Sequence, residues 1–399
     1  MPRSRLKPAT LSRLASALII ALFFTAIVQF AVVLPSVGAR AVLVDFDAFY
    51  IVGQLFWEGR ITEAYSAATM AQIQQEMVGH GGFMPWTYPP QFDLIALLLP
   101  GLPRGIAYGV FTASTLALYL WVLARLAGPS LVWILIALAP PIYVTTTIGQ
   151  NAFLTGALMG LFALLTRAKR TAAGWPLGLL IIKPHLGVGL GVHALASGRW
   201  RVLALAFGVV LASSLLATLV MGADIWAAFL DGARQAGEAL RTEFYPLYRM
   251  TSIYAALNAL GAAPEVALTV QTVVGLLASA AIILAVRRGV PIHQTLAMAC
   301  FTSALVSPYL YDYDMVVTGT GLALLASDIR VRTTTLDRIA LLGLIWVAGG
   351  WGMIHALASA GLSWEDRAAN ARNTLSYGAF AYVLTLALLF RILRRAPKP

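Results

Sequence analysis

Apolar runs recur along this chain too often for a water-soluble fold. They lie at Leu14–Leu34, Ile106–Leu123, Leu131–Thr147, Phe153–Leu165, Trp175–Ala196, Val202–Met221, Val266–Val286, Ile292–Val306, Met315–Ala326, Ile339–Leu357 and Leu375–Leu393. A helix of about 20 apolar residues crosses the roughly 30 Å hydrocarbon core of a bilayer. Several of these runs are shorter, and must tilt, break, or continue through polar residues that face protein. Phe92–Leu99, bracketed by Pro90 and Pro100, is too short to cross and reads as a half-helix or interfacial helix. Only 11% of the 399 residues are charged, against about 25% in soluble domains. Lipid must therefore cover much of the surface. The fold class this predicts is all-α: a polytopic membrane protein of about 11–13 transmembrane or half-spanning helices with short interfacial helices.

Arg3, Arg5, Lys7 and Arg13 before Leu14–Leu34 have the look of a targeting signal. The run is longer than the 7–15 residues of a cleaved signal, so an uncleaved first span is expected despite the weak cleavage-site mimic Ala39-Arg40-Ala41. The single cysteine, Cys300, excludes a disulfide within the chain and reads as a small buried hydrophobe.

Basic residues set the orientation. With both termini in the cytoplasm, nineteen of the 28 Lys and Arg fall on the cytoplasmic side, among them Arg125, Arg167/Lys169/Arg170, Arg199/Arg201, Arg287/Arg288 and Arg330/Arg332/Arg338. Of the 17 acidic residues, all but Asp328 and Asp337 then fall outside. This separation accounts for the net charge of +11 without a nucleic-acid partner. Both flanks of Trp175–Ala196 are basic, with Lys183-Pro184-His185 at its middle. Proline breaks a helix, so a hairpin with Lys183 at its apex is expected; the competing reading is one kinked span.

The chain reads as a single transmembrane unit over 1–399. Its first outer segment begins at Pro35, runs past Thr87 and extends to 104 with the short helix; its second is Gly222–Pro264. Loops this long are usually functional. Phe46–Phe56 and Ala64–Met77 suit helices lying on the membrane.

Five constellations could carry chemistry. Asp45 and Asp47 follow the first span, among aromatics that include Tyr50. An Asp in a partly dehydrated site can act as general base toward a hydroxyl; the same residue is a good helix cap. Trp86-Thr87-Tyr88-Pro89-Pro90 suits a rigid re-entry or an interfacial anchor. Gly149-Gln150-Asn151 could hold sugar hydroxyls or cap the next helix. Lys183 is an ionisable group at membrane depth, a functional candidate that could hold a lipid phosphate; the alternative is a snorkelling side chain. Ser307-Pro308-Tyr309-Leu310-Tyr311-Asp312-Tyr313-Asp314 again places two carboxylates two residues apart, beside three tyrosines. It suits a sugar platform or an aromatic belt. Asp45/Asp47 and Asp312/Asp314 are the two pairs that could take a divalent cation, but no metal or cofactor is indicated. The histidines His80, His185, His193, His293 and His355 are scattered. No glycine-rich phosphate loop follows a strand.

Taken in order, these pieces resemble glycosyltransferase family 87, membrane enzymes of the GT-C superfamily that include polyprenyl-phosphate-mannose-dependent alpha-1,2-mannosyltransferases. The residues carrying the resemblance are Asp45-Phe46 with Tyr50 and Gly59…Tyr65, Tyr88-Pro89-Pro90, Gly149-Gln150-Asn151, Lys183-Pro184, and Ser307-Pro308 with Tyr311-Asp312-Tyr313-Asp314. The resemblance implies a helical GT-C fold and a site facing away from the cytoplasm. It implies a polyprenyl-phosphate sugar as donor, a lipid or glycan acceptor, and inverting transfer. It makes Asp45 the general base with Asp47 second, and puts Lys183 at the donor phosphate. Tyr50, Tyr88, Gln150, Asn151, His185, Tyr309, Asp312 and Asp314 complete the expected substrate site. Where family members often carry His after Ser-Pro, this chain has Tyr309. The rival class is a transporter or flippase of lipid-linked glycans; the lack of an internal repeat and the one-sided acidic residues argue against it.

Overall fold

A computed structural model describes residues 8–33, 44–78, 84–241, 245–359, 361–362, 366 and 374–397. Arg3, Arg5, Lys7, the Ala39-Arg40-Ala41 motif, His80 and Lys398 lie outside the described residues. Among the described residues the chain is helical, with no strand beyond an isolated bridge between Met250 and Tyr311. It is an all-α, polytopic membrane protein. Five stretches are long and apolar enough to cross a bilayer: Ser12–Val32, Arg104–Ala137, Trp200–Met221, Pro264–Arg287 and Thr335–Ala358. Shorter apolar helices at Ala152–Arg167, Thr171–Ile182, Ile292–Val306 and Tyr377–Leu393 pack among them. On Trp200–Met221, Phe207, Leu211, Leu215 and Leu219 form an exposed stripe at four-residue spacing. In water such a stripe would cost free energy; in a bilayer it is the lipid-facing side.

The two ends of the bundle differ. Arg104–Ala127 and Ala152–Arg167 run parallel, since Gly156 packs on Tyr119 and Gly160 on Val122. Their last turns carry Arg125 and Arg167. The helix Pro8–Val33 starts at that same end, where the Ser12 hydroxyl meets the Pro129 carbonyl at 3.5 Å. A further basic end-cluster joins Arg332 to Asp328 (3.0 Å), and Arg391 and Arg395 to Asp337 (2.8 and 2.5 Å). The opposite end carries the conspicuous acidic and aromatic motifs.

The Lys183 segment reverses the chain. Gly174 and Gly178 bring the helix Gly174–Leu179 against Val202 and Ala206 in parallel with Trp200–Met221; a Cβ at either glycine would fall 2.6 Å from a backbone oxygen of that helix. After the break at Lys183-Pro184, Val188–Ala196 runs antiparallel to Ile292–Val306: the Gly189 amide donates to Ser303 Oγ (3.0 Å), and His193 meets Thr295 (3.1 Å). The C-terminal ends of both host helices meet the amphipathic helix Asp224–Arg241, through the Trp226 indole on Thr218 (2.8 Å) and the Tyr309 hydroxyl on the Ala236 carbonyl (2.8 Å). The two arms therefore point in opposite directions, with Lys183 at the turn.

The two long segments between spans form a cap at that end. Asp45–Trp57 and Ala67–Val78 are helices, and Pro90–Ala96 is the expected short helix. Asp224–Arg241 lies across Ile61–Tyr65, with Gly232 and Phe229 against the Tyr65 ring.

Candidate active site

Gly149 sets the geometry from which the site grows. It ends the helix Ala139–Ile148 in the left-handed conformation (φ 67°), and a Cβ there would meet Phe46 at 2.7 Å and Tyr108 at 3.0 Å. Only glycine permits both the turn and this approach. The turn presents Gln150 across the start of the helix Asp45–Trp57. Gln150 Nε2 donates to Asp45 Oδ2 (2.8 Å), while Gln150 Oε1 accepts from the Tyr88 hydroxyl and from the Asn151 amide, both at 2.9 Å. Three motifs separated by many residues are thus joined in one chain of hydrogen bonds. Asn151 has no solvent exposure, and among the described residues its side-chain amide meets no partner in hydrogen-bond geometry; His185 Nε2 is likewise buried without one.

Beside this chain sit two ion pairs. Lys183 Nζ contacts Asp314 Oδ1 at 2.5 Å and lies 5.1 Å from the centroid of the Tyr313 ring. Arg249 grips Asp312 with both Nε (3.2 Å) and Nη2 (3.0 Å), over the parallel rings of Tyr311 and Tyr313, whose centroids are 5.3 Å apart. Both carboxylates are buried. Sequence reasoning missed Arg249. Nothing in the sequence set it apart, since Arg234 and Arg241 lie in the same segment, Gly222–Pro264.

Asp45 and Asp47 differ sharply. Asp47 is fully buried; its Oδ2 accepts from the Val44 amide (2.9 Å), closing the first turn of the helix, and its Oδ1 is 2.7 Å from Arg104 Nε. That second contact is ionic and lacks in-line hydrogen-bond geometry. Asp45 is partly exposed, and among the described residues no Lys, Arg or His pairs with it. Burial of its carboxyl raises its pKa, opposed by the charge of Arg249 and the hydrogen bond from Gln150, and assisted by the negative Asp312.

Two residues named in the sequence reading lie outside the network. The Tyr50 hydroxyl donates to the Leu102 carbonyl (3.1 Å). Tyr309 spends its hydroxyl on Ala236 and sets its ring edge-on to Tyr245, anchoring the amphipathic helix. Among the described residues no three His, Cys, Asp or Glu side chains form a metal-ligand group.

Residues 86–308, more than half of the chain, match the model of glycosyltransferase family 87. The chain belongs to that family. No curated protein and no solved structure matches it. The matched region of this family-87 glycosyltransferase contains Tyr88, Gln150, Asn151, Lys183 and Arg249. Asp45 precedes the match, and the fold brings it in through Gln150.

Proposed function

We propose that this membrane glycosyltransferase has a GT-C fold and moves a sugar, mannose, from a polyprenyl-phosphate donor to a lipid or glycan acceptor. Transfer takes place on the extracytoplasmic face of a bacterial cytoplasmic membrane and inverts the anomeric centre. The observation that carries the reading is the contrast among the carboxylates at this end of the bundle. Asp47, Asp312 and Asp314 are buried against cations, whereas Asp45 is partly exposed, unpaired with any cation among the described residues, and held by a single side-chain amide. A general base must be reachable and free to take a proton; Asp45 alone of the four is both. The site lies at the end opposite the basic clusters, which by the positive-inside tendency is the extracytoplasmic side, with both termini in the cytoplasm.

In the proposed reaction Asp45 takes the proton of an acceptor hydroxyl as its oxygen attacks the anomeric carbon. The bond from that carbon to the phosphate oxygen breaks on the opposite face, and its electron pair leaves with the polyprenyl phosphate. Lys183 and Arg249 meet the negative charge of the leaving group. Cations placed in advance in a partly dehydrated site stabilise developing charge without reorganising solvent. The unpartnered Asn151 amide and His185 Nε2 are the polar groups that sugar hydroxyls would satisfy. The isoprenoid tail packs among the apolar helices.

The test is transfer by purified protein in liposomes, with polyprenyl-phosphate-mannose or a nucleotide sugar as donor and membrane lipids as acceptor. The reading predicts transfer from the lipid-linked donor alone. Transfer from the nucleotide sugar alone would overturn the donor class.

A further inference from the structure

Asp93 is a buried carboxylate that the proposed chemistry does not use. It lies in the short helix Pro90–Ala96, has no solvent exposure, and among the described residues forms no ion pair. Its two contacts are neutral donors from separate segments: the Trp86 indole Nε1 on Oδ1 (2.9 Å) and the Tyr65 hydroxyl on Oδ2 (2.8 Å). A carboxylate buried without a cation is costly, and packing alone does not require one. Both donors bear on one element. The Tyr65 hydroxyl is also 3.0 Å from the Tyr88 carbonyl oxygen, and the Trp86 ring lies 4.9 Å from that of Tyr88. The Tyr88 ring is in turn 4.6 Å from Phe92, the neighbour of Asp93. Tyr88 donates to Gln150, and Gln150 to Asp45.

We propose that Asp93 is a positioning residue for sugar transfer: through Trp86 and Tyr65 it fixes Tyr88, and through Tyr88 the Gln150 amide that holds Asp45. This rests on Asp45 being the base. The chemistry explains why a carboxylate serves. Indole Nε1 only donates, so Trp86 needs an acceptor. The Tyr65 proton is shared between Asp93 and the Tyr88 carbonyl, and a carboxylate draws it more strongly than a neutral oxygen. An Asn at 93 can satisfy Trp86 with its carbonyl, but must turn its NH2 toward Tyr65, which then donates to Tyr88 instead. The shape survives and the brace slackens. Burial pushes the Asp93 carboxyl up to about 7, so Asn also removes a strained charge.

Activity and stability should therefore move in opposite directions. In liposomes at pH 8, Asp93→Asn should lower kcat about tenfold with KM for the donor changed less than about twofold, while raising the unfolding temperature. In a Tyr88→Phe background, Asp93→Asn should cost almost nothing further, because its route to Gln150 is already cut. If Asp93→Asn lowers kcat and stability together, or costs the same factor in the Tyr88→Phe background, Asp93 is structural only and the proposal fails. Asp45→Asn, measured alongside, separates the two readings. Its activity would remove the base assignment, whereas an inactive Asp45→Asn with an unimpaired Asp93→Asn would remove this proposal alone.

Discussion

Replacing Arg249 with Gln tests whether the arginine serves the reaction or only balances a charge. Asp312 is buried, and its carboxylate takes two bonds from Arg249 (3.0 and 3.2 Å) and one from the Tyr313 amide (2.9 Å). Removing one partner of a buried pair costs about 3–5 kcal/mol. The Arg249 side chain is 22% exposed and the Tyr313 bond persists, so the lower end, about 3 kcal/mol, is the expected loss. Thermal unfolding in detergent reads it as a fall in unfolding temperature. The rate should fall by more than folding explains. Loss of one pre-placed donor to developing charge costs about 10²–10³ in kcat. Arg249 is also the strongest influence holding the Asp45 pKa down. Without it Asp45 stays protonated to higher pH, so the acid limb of the pH–rate profile moves up. The double variant Arg249→Gln with Asp312→Asn replaces the ion pair by a neutral one. It should recover most of the stability and none of the rate. Recovery of both would reduce Arg249 to a counter-ion for Asp312.

Gly149→Ala should cost about 2–4 kcal/mol, combining a left-handed backbone with overpacking against Phe46, and should impair transfer in the fraction that still folds; unfolding temperature and transfer per folded molecule check it. The fold itself should carry a pH signature from Asp93, raised to about 7 in the folded chain. As pH rises from about 4 to about 7 an unfolded chain releases this proton and the folded chain keeps it. This group therefore lowers stability across that window, by on the order of 4 kcal/mol in full, and Asp93→Asn should flatten that part of the stability–pH curve measured by chemical unfolding.

Much of the fold could be read from the chain because lipid imposes simple rules. Apolar length gave the spans, and Lys183-Pro184 between two basic flanks gave the reversal, since proline cannot continue a helix. The motif Gly149-Gln150-Asn151 was visible as a unit, but its meaning needed the fold. That Gln150 bridges Asp45 and Tyr88 depends on packing across gaps of 105 and 62 residues, which no local pattern encodes. Asp45 and Asp47 look equivalent in sequence. Two residues, about half a helical turn, separate their fates, because Asp47 occupies the position that caps Val44 and meets Arg104. Tyr50 and Tyr309 looked like site aromatics, yet their hydroxyls are spent on backbone carbonyls. Arg249 and Asp93 belong to no motif. Each matters through partners brought from elsewhere, Asp312 for one and Tyr65 with Trp86 for the other.

In the proposed reaction Asp45 is the base and Asp47 a strut. The most direct measurement compares Asp45→Asn with Asp47→Asn in the liposome transfer assay, each normalised to folded protein. This assignment of roles predicts that Asp45→Asn loses about 10²–10⁴ in rate at unchanged stability. Asp47→Asn should lose stability and keep its rate per folded molecule within about tenfold. A folded Asp45→Asn that transfers sugar at the wild-type rate, or a folded Asp47→Asn that does not transfer at all, would contradict it.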